Sequence, residues 1–114
     1  MPHFVIDCSE SVLRLRSAEE LLREVHDTAE ATGLFKKGDI KVRIRAFEHY
    51  TVGSKKADFI HVFGNIMEGR TIEQKANLSR QIVAKLKHMF ADAPVISINI
   101  REFEKATYCN RNMV

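Results

Sequence analysis

An internal repetition constrains this chain more than any other feature of its sequence. Ile40, Val42, Ile44, Arg45, Phe47 and Glu48 are matched fifty-six positions later by Ile96, Ile98, Ile100, Arg101, Phe103 and Glu104. Arg16, Ser17, Glu19 and Glu20 are matched fifty-four positions later by Arg70, Thr71, Glu73 and Gln74. A pattern recurring at nearly constant spacing signals one structural unit used twice. The halves divide at about residue 56, into 1–56 and 57–114.

Periodicity says what the unit is. Residues 2–8 put Phe4, Ile6 and Cys8 on one face and His3, Val5 and Asp7 on the other, which predicts a strand. Ser17 followed three residues later by Glu20 predicts a capping box, and Leu21, Leu22, Val25 and Ala29 continue at helical spacing until Gly33 stops the helix. Residues 40–45 alternate three aliphatics with Lys41, Arg43 and Arg45, a second strand. The pattern then restarts: a strand over 59–66, a capping box at Thr71 and Gln74, an apolar stripe of Leu78, Ile82, Leu86 and Phe90 widened by Val83, and a strand over 95–100 after Pro94. Two tandem β-α-β units of the α+β class therefore build a four-stranded mixed sheet. Right-handed crossovers put both helices on one face of it. The other face is left to be solvated, to bind a ligand or to pack on another subunit. A β-α-β-β-α-β order also suits a ferredoxin-like module binding RNA or a small effector, and topology alone does not choose.

With 114 residues and 45% hydrophobic side chains, the chain matches a single domain with one modest core. Its formal net charge of +3 does not call for a nucleic-acid partner. Cys8 and Cys109 lie far apart with no CxxC or Cys/His cluster, as expected of reduced thiols in the cytoplasm. No apolar run approaches the roughly 20 residues that span a membrane, and no signal peptide is recognisable. There is no Walker loop, GxGxxG, GxSxG or HExxH motif, and the five histidines lack ligand spacing, so each reads as structural or exposed.

Three features point to chemistry. Pro2 becomes the amino terminus if Met1 is removed, and it is then a secondary amine fixed at the first position of a strand. Desolvated or set among cations, such an amine is neutral near pH 7 and serves as a general base. Lys41, Arg43 and Arg45 form a cationic strand face, which suits either solvent or a small anion; the interleaved aromatics of an RNA-binding sheet are missing. Arg70 precedes the Thr71 cap, beside a helix N-terminus that already favours anions.

The opening MPHFVIDC, with Ala31, Thr32 and Gly33 ending the first helix, resembles the 5-carboxymethyl-2-hydroxymuconate isomerase family along essentially the whole chain. The stretch 67–75, MEGRTIEQK, is similar to 4-oxalocrotonate tautomerase, where Gly-Arg-Ser/Thr precedes the helix. Both belong to the tautomerase superfamily. The resemblance implies an enzyme of homoprotocatechuate breakdown that ketonises 5-carboxymethyl-2-hydroxymuconate without metal or organic cofactor. It implies Pro2 as base and then acid, with Arg70 and Lys41 holding carboxylates and the dienolate oxygen. Lys41 stands where relatives carry arginine, and because lysine lacks the two-pronged grip of a guanidinium, either the binding geometry differs or Arg43 shares the task. Tyr108 falls near a pocket-lining aromatic of shorter relatives. Asp58 occupies the position matching Pro2 in the second half, so one site per protomer is expected. A homotrimer with packed sheets and sites at subunit boundaries is implied as well. The rival readings are a phenylpyruvate tautomerase resembling macrophage migration inhibitory factor and the non-enzymatic ferredoxin-like module.

Overall fold

Strict alternation of apolar and polar residues produces strands that are buried on one face only, and helices with one apolar stripe cover that face. In the computed structural model, which describes residues 1–114, the elements run β1 His3–Ser9, α1 Val12–Leu15, α2 Ala18–Ala31, β2 Lys41–Phe47, β3 Phe59–Met67, α3 Ile72–Met89 and β4 Val95–Phe103. A short 3-10 turn, Arg111–Met113, follows. The sheet order is β2-β1-β3-β4. β1 pairs parallel with β2, β3 pairs parallel with β4, and the two units meet antiparallel along β1 and β3.

The register aligns Phe4 with Val42 and Gly64, Ile6 with Ile44 and Val62, and Cys8 with Ile60 on the covered face. Against them pack Leu21, Val25 and Ala29 of α2 and Leu78, Ile82 and Leu86 of α3, all buried. Each of these leucines, isoleucines and valines contributes about 1.5–3 kcal/mol by leaving water. Gly64 sits opposite Phe4 because nothing larger fits: a Cβ there would lie 2.7 Å from Ile100 Cδ1 and 3.1 Å from Phe4 Cε1. The open face carries His3, Val5 and Asp7 of β1, the three cations of β2, His61 and Phe63 of β3, and Ser97, Asn99 and Arg101 of β4. Its polar groups largely satisfy one another. Asp7 accepts two hydrogen bonds from Arg45, His61 lies 2.6 Å from both Ser97 Oγ and Asn99 Oδ1, and Arg101 lies over the Phe63 ring at 5.1 Å.

The expected α+β architecture is present, and four details differ from the sequence reading. First, α1 was not foreseen, because four residues carry no periodic signal. Second, β4 runs three residues beyond Ile100, since Arg101 and Phe103 keep the alternation going in parallel with β3. Third, Ser17 caps α2 by accepting from the Glu20 N–H, but no reciprocal bond closes a box there, because Arg16 holds the Glu20 carboxylate at 2.6 Å. The box at Thr71 and Gln74 is complete. Fourth, the strand order sets the chain apart from the ferredoxin-like alternative: there each β-α-β unit is split by an intervening strand, whereas here β1 and β2 are direct neighbours, as are β3 and β4.

Candidate active site

The sheet's directions bring four separate segments to one tip. β1 and β2 start there, and β3 and β4 end there, with His3 beside Lys41 and Asn65, and Met67 beside Phe103. The amino terminus, the segment entering β2, the turn leaving β3 and the tail after β4 therefore converge.

Pro2 is buried at this tip, and its carbonyl accepts the Lys41 N–H at 3.0 Å. The preceding terminal amine of Met1 donates to the Asp39 carbonyl at 3.4 Å and lies 3.8 Å from the Asp39 carboxylate. Burial holds this amine below the ordinary α-amino range; contact with the Lys41 ammonium and its charge push the same way, and Asp39 pulls weakly back. The environment favours an uncharged amine.

Arg70 is held from three sides. Gly69, at a φ of 120° that a side chain would resist, turns the chain out of β3 and into the cap of α3. The Arg70 guanidinium donates to Leu34 O at 2.6 Å and Met67 O at 3.3 Å, and it stacks 5.2 Å from the centroid of Phe35, whose ring in turn meets buried Phe4 edge-on. Neutral acceptors satisfy part of the fork, and no carboxylate pairs with it. A positioned, uncompensated guanidinium is a ready anion anchor.

The other sequence candidates are arranged less tightly. Lys41 is exposed at the start of β2 beside the amine. Arg43, two residues on and exposed, reaches His3 Nδ1 at 3.1 Å rather than the Pro2 cavity. Burial, followed by the charges of Arg43, Lys41 and the terminus, lowers the His3 pKa, which keeps a ring nitrogen free to accept from Arg43. Tyr108 packs on Phe103 at 6.0 Å, and Phe103 meets the His3 ring at 6.2 Å, so Tyr108 lies two rings from the strand's start. The Glu68 carboxylate fixes this tail by accepting the Lys105 N–H at 2.5 Å.

A cavity of about 190 Å³ joins Pro2 and Arg70, with Met1, Phe35, Lys36, Asp39 and Met67 completing its wall. The sequence reading missed these last residues, except for the possibility that Met1 is removed, because loop conformation and not periodicity brings them in. A larger concavity of about 700 Å³ lies far from this chemistry, between α2 and α3; it is an open polar groove with Glu24 and Lys85 paired across it at 3.6 Å. Also on α2, donor atoms of His26, Asp27 and Glu30 gather within 4.8 Å, a grouping not foreseen from histidine spacing. No helix is long and apolar enough to cross a membrane.

Two joined β-α-β units, with Pro2 buried behind Met1 and Arg70 on the β-to-helix turn at one tip, have the tautomerase fold, and the chain's likeness to known proteins places it among the isomerases of that fold. The family model for 5-carboxymethyl-2-hydroxymuconate isomerase matches residues 2–114, and the chain belongs to that family. Among curated proteins, the 5-carboxymethyl-2-hydroxymuconate Delta-isomerase of Escherichia coli is 26% identical over 93 residues, covering 80% of this chain and 74% of its own. A 5-carboxymethyl-2-hydroxymuconate isomerase structure from Deinococcus radiodurans superposes with a TM-score of 0.84 at 24% identity, over 96% of this chain and 88% of its own. A fused 4-OT protein described as a wild type symmetric trimer shares the fold at a TM-score of 0.80 and 14% identity, over 98% and 95% of the two chains.

Proposed function

We propose that this isomerase converts 5-carboxymethyl-2-hydroxymuconate to its oxo tautomer in homoprotocatechuate breakdown in the cytoplasm, with the nitrogen of Pro2 as the proton carrier. After loss of Met1, that nitrogen takes the proton of the substrate 2-hydroxyl and returns one to a distant carbon of the conjugated system. Arg70 and Lys41 hold carboxylates and stabilise the dienolate oxygen as its charge grows. Arg43 and Tyr108 line the approach. Proton transfer between a base and a conjugated acid asks for neither metal nor organic cofactor.

One observation carries this reading: Pro2 and a carboxylate-free Arg70 share a cavity in which the neighbouring amine is depressed by burial and by Lys41. The cavity's size supports a homotrimer. Ligand sites usually enclose about 300–1,000 Å³, so about 190 Å³ in one chain suits a pocket finished by a neighbouring copy and enlarged when Met1 leaves. The open sheet face is fit to be that neighbour's seat, because its Asp7–Arg45 pair and its His61 bonds leave few polar groups to strand.

The test combines the intact mass and native mass of wild type and Pro2→Ala with rates on 2-hydroxymuconates and on phenylpyruvate. Chains lacking Met1, assembled as trimers and preferring the multiply charged acids, with activity lost in the variant, support the proposal. Retained Met1 on an active enzyme refutes the mechanism, and equal rates on phenylpyruvate refute the substrate class.

A further inference from the structure

The turn that leads into β2 brings to the cavity a charge that the proton-transfer scheme leaves unused. Lys36 lines the same cavity as Pro2 and Arg70, is exposed at its mouth, and takes part in no ion pair. Its place is fixed by the backbone. The Asp39 N–H donates to Lys36 O at 3.1 Å, across Gly38 at a φ of 89° that disfavours any side chain. Leu34, Phe35 and Lys36 follow one another along this segment: the first accepts from Arg70, the second stacks on it, and the third adds its own cation.

Charge is distributed unevenly around the cavity. At the amine, Lys41 is opposed by the Asp39 carboxylate. Arg70 and Lys36 have no opposing acid. A conjugated acid with two carboxylates is matched by Arg70 and Lys41 alone, which leaves Lys36 free for one more negative group at the mouth. Resting on the proposed function above, we infer that Lys36 determines specificity by selecting substrates that carry a third carboxylate on a side arm.

The experiment measures kcat and KM of wild type, Lys36→Ala, Lys36→Arg and Lys37→Ala on 5-carboxymethyl-2-hydroxymuconate and on 2-hydroxymuconate, which lacks the carboxymethyl arm. Lys37 is exposed and does not line the cavity, so its variant controls for general charge. For Lys36→Ala, kcat/KM on the three-carboxylate acid should fall about fivefold, through KM, as for one exposed ion pair. The two-carboxylate acid should be turned over unchanged, Lys36→Arg should restore the preference, and added salt should erode it. Equal losses on both acids, a loss in kcat alone, or no loss on the three-carboxylate acid overturns the inference while leaving Pro2 chemistry standing. A wild-type enzyme that turns over neither acid overturns both.

Discussion

The tip where β1 begins and the tip where β3 begins are related by the internal repeat, yet they are furnished for different work. At the first, Pro2 is buried beside an amine that burial and then Lys41 discourage from charging, and Arg70 rests on carbonyl oxygens. At the second, Asp58 occupies the matching position and accepts the hydroxyls of Ser9 and Ser11, while Ser9 also takes the Phe59 N–H at 3.2 Å. Arg16, the counterpart of Arg70, is neutralised by Glu20. The concavity beside Ser11 balances Glu10 and Glu48 against Arg14 and Lys56. Two small differences separate the tips. Gln74 replaces Glu20, so the cap of α3 offers Arg70 no counter-charge. And loss of Met1, as proposed, frees the Pro2 nitrogen, whereas the Asp58 nitrogen stays in a peptide bond that withdraws its lone pair, so it is no base.

The comparison breaks or sharpens on four measurements. Pro2→Ala should lower kcat by roughly 10²–10⁴, the usual weight of a positioned base; a variant within threefold of wild type would make the two tips equivalent. Arg70→Ala should cost roughly 10²–10³ in kcat/KM, in line with removing one donor to a developing oxyanion. Its counterpart Arg16→Ala should leave turnover untouched and cost about 1 kcal/mol of stability or less, because its i,i+4 pair with Glu20 is only half-buried. Comparable kinetic losses in the two arginine variants would show the second tip to be active.

Asp58→Ala should reduce stability by about 1–3 kcal/mol, since it strands the Ser9 and Ser11 hydroxyls, with kcat unchanged. Denaturant midpoints at one protomer concentration measure it. Last comes the pH profile. The freed Pro2 nitrogen must be uncharged to act, so activity should fall as acid protonates it; it should feel the same burial and the same Lys41 charge that hold the Met1 amine, one residue away, below the ordinary α-amino range, and the limb is expected there too. Lys41→Met removes a charge that lowers the amine pKa, so the limb should move to higher pH. Asp39→Asn removes a charge that raises it and should move the limb to lower pH. A limb that stays fixed in both variants would detach these side chains from the base.

Much of this was legible in the sequence because periodicity encodes burial. The alternation of Phe4, Ile6 and Cys8, and the stripe of Leu78, Ile82 and Leu86, name the core directly. The repeat announced two β-α-β units, though not which strands sit side by side, and the Thr71 cap located α3. Competition between neighbours was not legible: Glu20 answers the Ser17 cap in sequence, yet Arg16 captures its carboxylate in space. The cavity wall was also hidden. Phe35, Lys36 and Asp39 enter it through a turn whose path depends on Gly38, and Met67 through its place opposite Phe103. The partner of Arg43 was hidden as well: alternation puts it on the open face of β2, and only the fold brings its guanidinium to His3.

The two thiols differ as sharply as the tips do. Cys8 is wholly buried in the sheet, its pKa pushed up to about 11 by burial first and by Asp7 and Asp58 second, while Cys109 is exposed in the tail. Maleimide reacts with thiolate, so a folded chain near neutral pH should take a single dye, at Cys109. A second dye per chain would then report that β1 has parted from its helices, making label stoichiometry a clock for opening of the core.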